Sequence, residues 1–195
     1  MTTPIRLSAS IATNLLLAGA ACGQWTCVRL HPANATAPQA LATAGALQGG
    51  NSVLASTFHA CTWNGAASTF VDLHPAGATS SQVLAMTPFV QVGLANQHAA
   101  LWNGSAASYV DLNPVGSTTS AIRGTDGLFH VGNIRVGIQD HACVWSGTSM
   151  PPYDLQTGLS PSSAGSYAFS ISGGQIVGYY NTSNVSRAIV WQDGT

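Results

Sequence analysis

Short apolar and β-branched runs of about five residues recur along the chain, punctuated by Gly, Asn, Pro and Ser. They come in a fixed order. One run reads His-Ala-x-x-Trp: His59-Ala60-Cys61-Thr62-Trp63, His98-Ala99-Ala100-Leu101-Trp102 and His141-Ala142-Cys143-Val144-Trp145, with Arg187-Ala188-Ile189-Val190-Trp191 as a fourth copy. Asp-Leu follows it at Asp72-Leu73, Asp111-Leu112 and Asp154-Leu155, and Leu30-His31-Pro32, Leu73-His74-Pro75 and Leu112-Asn113-Pro114 align at this place. A small-residue segment comes next: Gln39-Ala40-Leu41, Gln82-Val83-Leu84, Ser120-Ala121-Ile122 and Tyr167-Ala168-Phe169. A run ending in Gly closes the unit: Gln48-Gly49-Gly50, Gln91-Val92-Gly93, His130-Val131-Gly132 and Ile176-Val177-Gly178. The N-terminal stretch repeats the pattern faintly. Ser10-Ile11 and Leu17-Ala18-Gly19 fill the last two slots, and Gln24 falls in the His slot.

The His slots at 59, 98, 141 and 187 lie 39, 43 and 46 residues apart. Four short strands per unit at a period near 40 predict β-propeller blades. The chain reads as one all-β domain of five units, about 1–36, 37–79, 80–118, 119–165 and 166–195: a five-bladed β-propeller of four-stranded blades. The last unit stops just after its Trp run and the first begins without one, so Ile5-Arg6-Leu7 is expected to complete the last blade. That strand exchange between the termini would remove the open edges. A solenoid is the second architecture this pattern allows.

Composition narrows the chemistry. Among 195 residues there are five Lys plus Arg, all Arg, and six Asp plus Glu, all Asp, for a net charge of −1. Without Lys and Glu, solvent-coated helices are disfavoured, and so are Schiff-base chemistry and a Glu general acid. The absence of a basic run argues against nucleic acid. No stretch reaches the ~18 apolar residues of a membrane span. The segment from Arg6 through Leu15-Leu16-Leu17 to Cys22 is similar to a bacterial lipoprotein signal. Thr13-Asn14 interrupts its apolar run, which is marginal against the ~7–15 residues such a region needs, so no convincing signal peptide is read. Cys61 and Cys143 recur at one slot and read as small core residues. A monomer is expected.

The motif His-Ala-x-x-Trp-x-x-Gly, followed by Asp-Leu, a Ser/Ala segment and a Val-Gly strand, resembles the bacterial His-Ala-Phe (HAF) extracellular repeat family. The likeness covers residues 37–195 well and the first 36 poorly. It implies a propeller-like fold and an extracellular or periplasmic location, and it brings no established activity.

Candidate sites follow from strand parity. Tight turns are expected from the Trp run into Asp-Leu through Asn-Gly or Ser-Gly, and from the Ala segment into the Val-Gly strand. The longer connections would then share the opposite end. His59, His98 and His141 begin their strands at that end, and His31 and His74 follow Asp-Leu into it. If the His strand is innermost, His59, His98 and His141 converge on the axis as an open three-imidazole site. Zinc would suit it best among divalent metals. Metal-bound hydroxide would then attack an ester or phosphoester. Arg187 would hold the developing oxyanion, Gln24 would orient the small-molecule substrate, and His31 and His74 would move protons. If the Ala segment is innermost, the three His are separate and each is bonded within its own blade. Asp72, Asp111 and Asp154 read as structural turn or cap partners, and Asp126 as a turn residue. A second function is a glycan-binding, lectin-like propeller with pockets between blades, where sugars stack on aromatic rings. A third is a display domain with no ligand.

Overall fold

The computed structural model describes residues 25–159, 163–183 and 185–192. They form four antiparallel sheets in chain order. The first holds β1 (Thr36–Ala44), β2 (Leu47–Leu54), β3 (Thr57–Trp63) and β4 (Val71–Asp72). The second holds β5 (Ser81–Met86), β6 (Gln91–Ala95), β7 (His98–Trp102) and β8 (Val110–Asp111). The third holds β9 (Ser120–Thr125), β10 (Phe129–Val136), β11 (Gln139–Ser146) and β12 (Tyr153–Asp154). The fourth holds β13 (Ser163–Ser172), β14 (Gln175–Thr182) and β15 (Val185–Gln192). Every sheet is a meander with the small-residue strand at one edge, and the His-Ala-x-x-Trp strand is third in each. No α-helix occurs among the described residues.

The recurrent Gly of the second strand has a local cause. Opposite it, the small-residue strand carries a bulge, seen as register shifts between Ala40 and Ala42, Val83 and Ala85, and Ala168 and Ser170. The bulge drives a backbone carbonyl toward the neighbouring strand. A Cβ at Gly50, Gly93, Gly132 or Gly178 would overlap the carbonyl oxygen of Gln39, Gln82, Ala121 or Tyr167.

One expectation about the connections is corrected. Asn64-Gly65 and Asn103-Gly104 do not make tight turns into Asp-Leu. They open longer loops that contain 3-10 turns, Ala67–Thr69 and Ala106–Ser108. The Asp-Leu strand pairs deep along its neighbour, Thr62 with Val71 and Cys61 with Asp72, so the chain must travel back past the Trp before it pairs. The Gly65 and Gly104 amides instead donate to Gln48 Oε1 (2.9 Å) and Gln91 Oε1 (2.8 Å). The small-residue strand does turn tightly into the Gly strand in the first and fourth sheets, through Gly45-Ala46 and Gly173-Gly174. Further tight turns enter the His strand. Ala55-Ser56 and Asn96-Gln97 both take left-handed backbone there, as primed hairpin turns require. Parity still puts His59, His74, His98 and His141 at one end, which they share with these short turns.

Consecutive sheets pack face to face. Strand β5 lies across β1, β2 and β3, β9 across β5, β6 and β7, and β13 across β9, β10 and β11. Small residues in the third strands let the sheets approach. Ala60, Val83, Met86 and Trp102 share one core, Leu101, Leu112, Ile122 and Trp145 the next, and Val131, Ala142, Ala168 and Ile176 the third. Trp63, Trp102 and Trp145 are fully buried, whereas Trp191 is half-buried. Strand β15 is exposed along most of its length, and no fourth strand joins its sheet among the described residues. The expected closing strand Ile5-Arg6-Leu7 and the N-terminal unit up to Gln24 lie outside the described residues.

Candidate binding site

Three repeat histidines each bind the aspartate of their own sheet. His59 Nδ1 lies 2.8 Å from Asp72 Oδ2, His98 Nδ1 2.8 Å from Asp111 Oδ2, and His141 Nδ1 2.7 Å from Asp154 Oδ2. The other carboxylate oxygen accepts the backbone N–H two residues on, from His74, Asn113 and Gln156. The side chain of that residue meets a serine from the next sheet: His74 with Ser81 (2.7 Å), Asn113 with Ser120 (2.6 Å) and Gln156 with Ser166 (2.5 Å). The same serine oxygen accepts the N–H of the residue after the histidine, Ala60, Ala99 or Ala142. The result is a closed circuit, repeated three times, that clasps each sheet to the next. His, Asn and Gln are interchangeable at one position because each offers a side-chain acceptor to the serine hydroxyl.

His59, His98 and His141 are thus on three different sheets and bound to three different carboxylates. Among the described residues no three His, Cys, Asp or Glu side chains are grouped to hold a metal. The sequence-derived zinc set does not fit this arrangement. Arg187, on exposed β15, donates from Nε to Thr182 Oγ1 at 3.2 Å and meets none of the three. Gln24 lies outside the described residues. His74 stacks on His59 with centroids 3.9 Å apart, and its Nε2–H donates to the Ala78 carbonyl. His31 is exposed. Pro38 stands one residue before Gln39 as Ser81 stands before Gln82, so His31 has no serine to complete a clasp. Asp140 accepts from Asn133, Arg135 and Tyr167 rather than contacting His141. Asp126 accepts the Leu128 and Phe129 amides within its turn. Cys61 and Cys143 are buried, which pushes the Cys61 thiol up to about 12 and raises Cys143 as well. Neither is a nucleophile near neutral pH.

His130 escaped sequence reasoning as a site residue. It occupies the slot of Gln48 and Gln91, is fully buried, and bonds to Thr125 Oγ1 at 2.7 Å. The signal was present as the one His in a slot that otherwise holds Gln48, Gln91 and Ile176. Burial lowers its pKa below the ordinary 6.5, against a smaller opposing effect of Asp126. The unfolded chain therefore takes up a proton first as pH falls. The stability that neutral His130 supports is whole above about 6.5 and is lost as pH drops toward the folded value. His130→Gln, the residue found at this slot in the first two sheets, is expected to flatten the fall in Tm between roughly pH 7.5 and pH 5. An unchanged slope would assign the acid sensitivity elsewhere, with His74, also lowered by burial, as the next candidate.

A cavity lies between the third and fourth sheets. It encloses about 380 Å³ and is lined by Phe129, Tyr153, Leu155, Ile176, Trp191 and Gln192, among others. Its position is a repeated one. Between the second and third sheets, the indole Nε1 of Trp145 donates to the Leu112 carbonyl at 3.1 Å and closes the equivalent space. Trp191 and Leu155 are the corresponding pair, and there the space is open. The buried Nε1 of Trp191 has no partner, as is also true of Trp63 and of Trp102 inside its sealed core. Exposed Tyr153 forms one rim of this cavity, and the exposed side chains of Phe89 and Leu128 stand on turns at the same end of the sheets. Sequence reasoning anticipated pockets between blades but placed no residues in them. The signal was the Trp slot itself, followed by the change from Val110 to Tyr153 and from Ser146 to Gln192. A second cavity of about 300 Å³ is lined by Arg29, Leu30, His31, Pro38 and Trp63, among others.

No protein-family model matches the chain, and no curated protein matches it significantly. The likeness to the His-Ala-Phe repeats rests on the motif residues alone.

Proposed function

We propose that this chain is a non-catalytic recognition module that binds a neutral carbohydrate in the cavity between its third and fourth sheets. The observation that carries the reading is the cavity of about 380 Å³ walled by Phe129, Tyr153 and Trp191. Its volume lies in the range of small-molecule sites, and three aromatic side chains offer faces against which the C–H side of a pyranose stacks. The Gln192 amide supplies directional hydrogen bonds. Among the described residues no charged group lines the cavity, so an uncharged ligand enters without leaving a buried charge unpaired. The hydrolase alternative asks His59, His98 and His141 to share one ion. Each is bound instead to a different aspartate, and no catalytic step follows from that arrangement. In this proposal residues 1–36 supply the fifth unit, the sheets close into a five-bladed propeller, and the module works outside the cell. The run of sheets in chain order, each packed on the one before, supports that closure.

A glycan array followed by NMR titration tests the function. A bound neutral glycan is expected to shift the Trp191 indole N–H resonance. Trp191→Ala removes the stacking wall, and it should weaken binding roughly tenfold, the worth of about one aromatic contact. A protein that binds no neutral glycan, or binds one without moving Trp191, would overturn the assignment.

A further inference from the structure

We infer that the smaller cavity beside Trp63 is a second carbohydrate site, selective for sugars that carry an anionic group. This rests on the carbohydrate reading above and extends it to a different ligand class. Trp63 holds the same repeat slot as Trp191, and Leu30 the same slot as Leu155. At both places the cavity opens between that Trp–Leu pair. At the inner junctions the pair is shut, by the Trp145–Leu112 hydrogen bond in one case and by the packed core around Leu73 and Trp102 in the other. The Trp63 side chain is 1% exposed, and its Nε1 has no hydrogen-bond partner. Its ring forms part of the cavity wall, and the polar side chains that face the space are those of Arg29 and His31.

The two cavities differ in charge. Among the described residues no ionised side chain lines the one beside Trp191, whereas Arg29 and His31 both line the one beside Trp63. Arg29 is one of only five cations in the chain. Its guanidinium matches a carboxylate or sulfate with two parallel N–H donors, and the His31 ring adds a further donor. His31 sits in the slot where His74 is committed to Ser81, and Pro38 in place of that serine leaves its ring outside a clasp. The departure from the repeat thus places a second nitrogen donor at the cavity mouth.

The probes are the methyl glycosides of glucuronic and galacturonic acid with their neutral parents, methyl glucoside and methyl galactoside. Each pair differs only at C6. NMR titration of the full chain would follow the indole N–H resonances, with buried Trp145 reporting an intact fold. The uronates are expected to move Trp63. Arg29→Ala should weaken that response roughly tenfold, as loss of a charge-assisted pair does, with Trp145 unmoved. His31→Gln should weaken it less. Trp191→Ala should leave it unchanged. Uronates that leave Trp63 in place, or a Trp63 response indifferent to Arg29→Ala, would overturn the second site. If instead no neutral glycan of the array moves Trp191 while the uronates move Trp63, the first cavity's assignment fails and the second stands.

Discussion

Gly93→Ala is expected to cost about 3 kcal/mol of stability, the upper end of the usual penalty for overpacking. In a domain of this size that lowers Tm by roughly 10 °C. The methyl group would overlap the Gln82 carbonyl oxygen and crowd the Leu84 amide, both backbone atoms of β5. Neither can swing aside as a side chain would. Val83 and Ala85 on either side of Leu84 are held in register by pairing with Gly93 and Val92, and β5 is pressed between the first sheet and β9. Relief would require undoing the bulge and with it the face-to-face packing. Gly158→Ala is the control. It has no atom within 4 Å of the added methyl and no left-handed backbone, and its Tm should stay within about 2 °C of the parent. Equal effects at the two positions in thermal denaturation would mean that the loss is intrinsic to glycine replacement and not to the bulge.

Trp145→Ala should be more severe, about 4 kcal/mol in denaturant unfolding. The indole is fully buried among Val92, Leu101, Leu112 and Ile122, and its removal opens a cavity between two clasped sheets. It also leaves the Leu112 carbonyl without the indole donor. Trp191→Ala at the equivalent slot should cost only about 1 kcal/mol, because that ring already borders open space. The ratio between these two substitutions measures how differently one repeated residue is used. A Trp191 cost equal to that of Trp145 would mean that the terminal cavity closes in solution.

Much of the all-β arrangement was legible because period and punctuation repeat. Four strands per unit, the Trp slot and the Gly slot all survive as recurring letters, and a recurring letter reports a recurring environment. The turns were less legible. Asn64-Gly65 is a strong hairpin signal, but its Gly serves a loop amide bonded to Gln48, and the tight turn falls instead on Ala55-Ser56, which carries no such signal. The local sequence states which backbone angles are accessible, not which strand comes back to pair. The histidines divide in the same way. Their common slot was visible, but whether they converge or separate depends on which strand is innermost, a property of sheet packing. The serine that completes each clasp comes 21 or 24 residues later than the amide it accepts, and it has no neighbour in sequence to advertise the contact. The cavities were hidden for a related reason. They are places where the repeat fails to fill, and a failure to fill leaves no motif.

The clasps also fix where the chain can be divided. Ser81 belongs by sequence to the unit that begins near residue 80, yet it completes the circuit of His59, Asp72 and His74 in the unit before. The stretch 80–118, excised at its sequence borders, would carry Ser81 without that acceptor side chain and His98, Asp111 and Asn113 without Ser120. Each border cut severs one circuit and leaves unpaired groups on both of its sides. The unit of inheritance, which duplication copies, and the unit of self-sufficiency, which can stand in water, are therefore offset by the few residues up to the clasp serine. An engineer who lengthens or shortens such an array would do better to splice after the clasp serine than at the start of the written repeat.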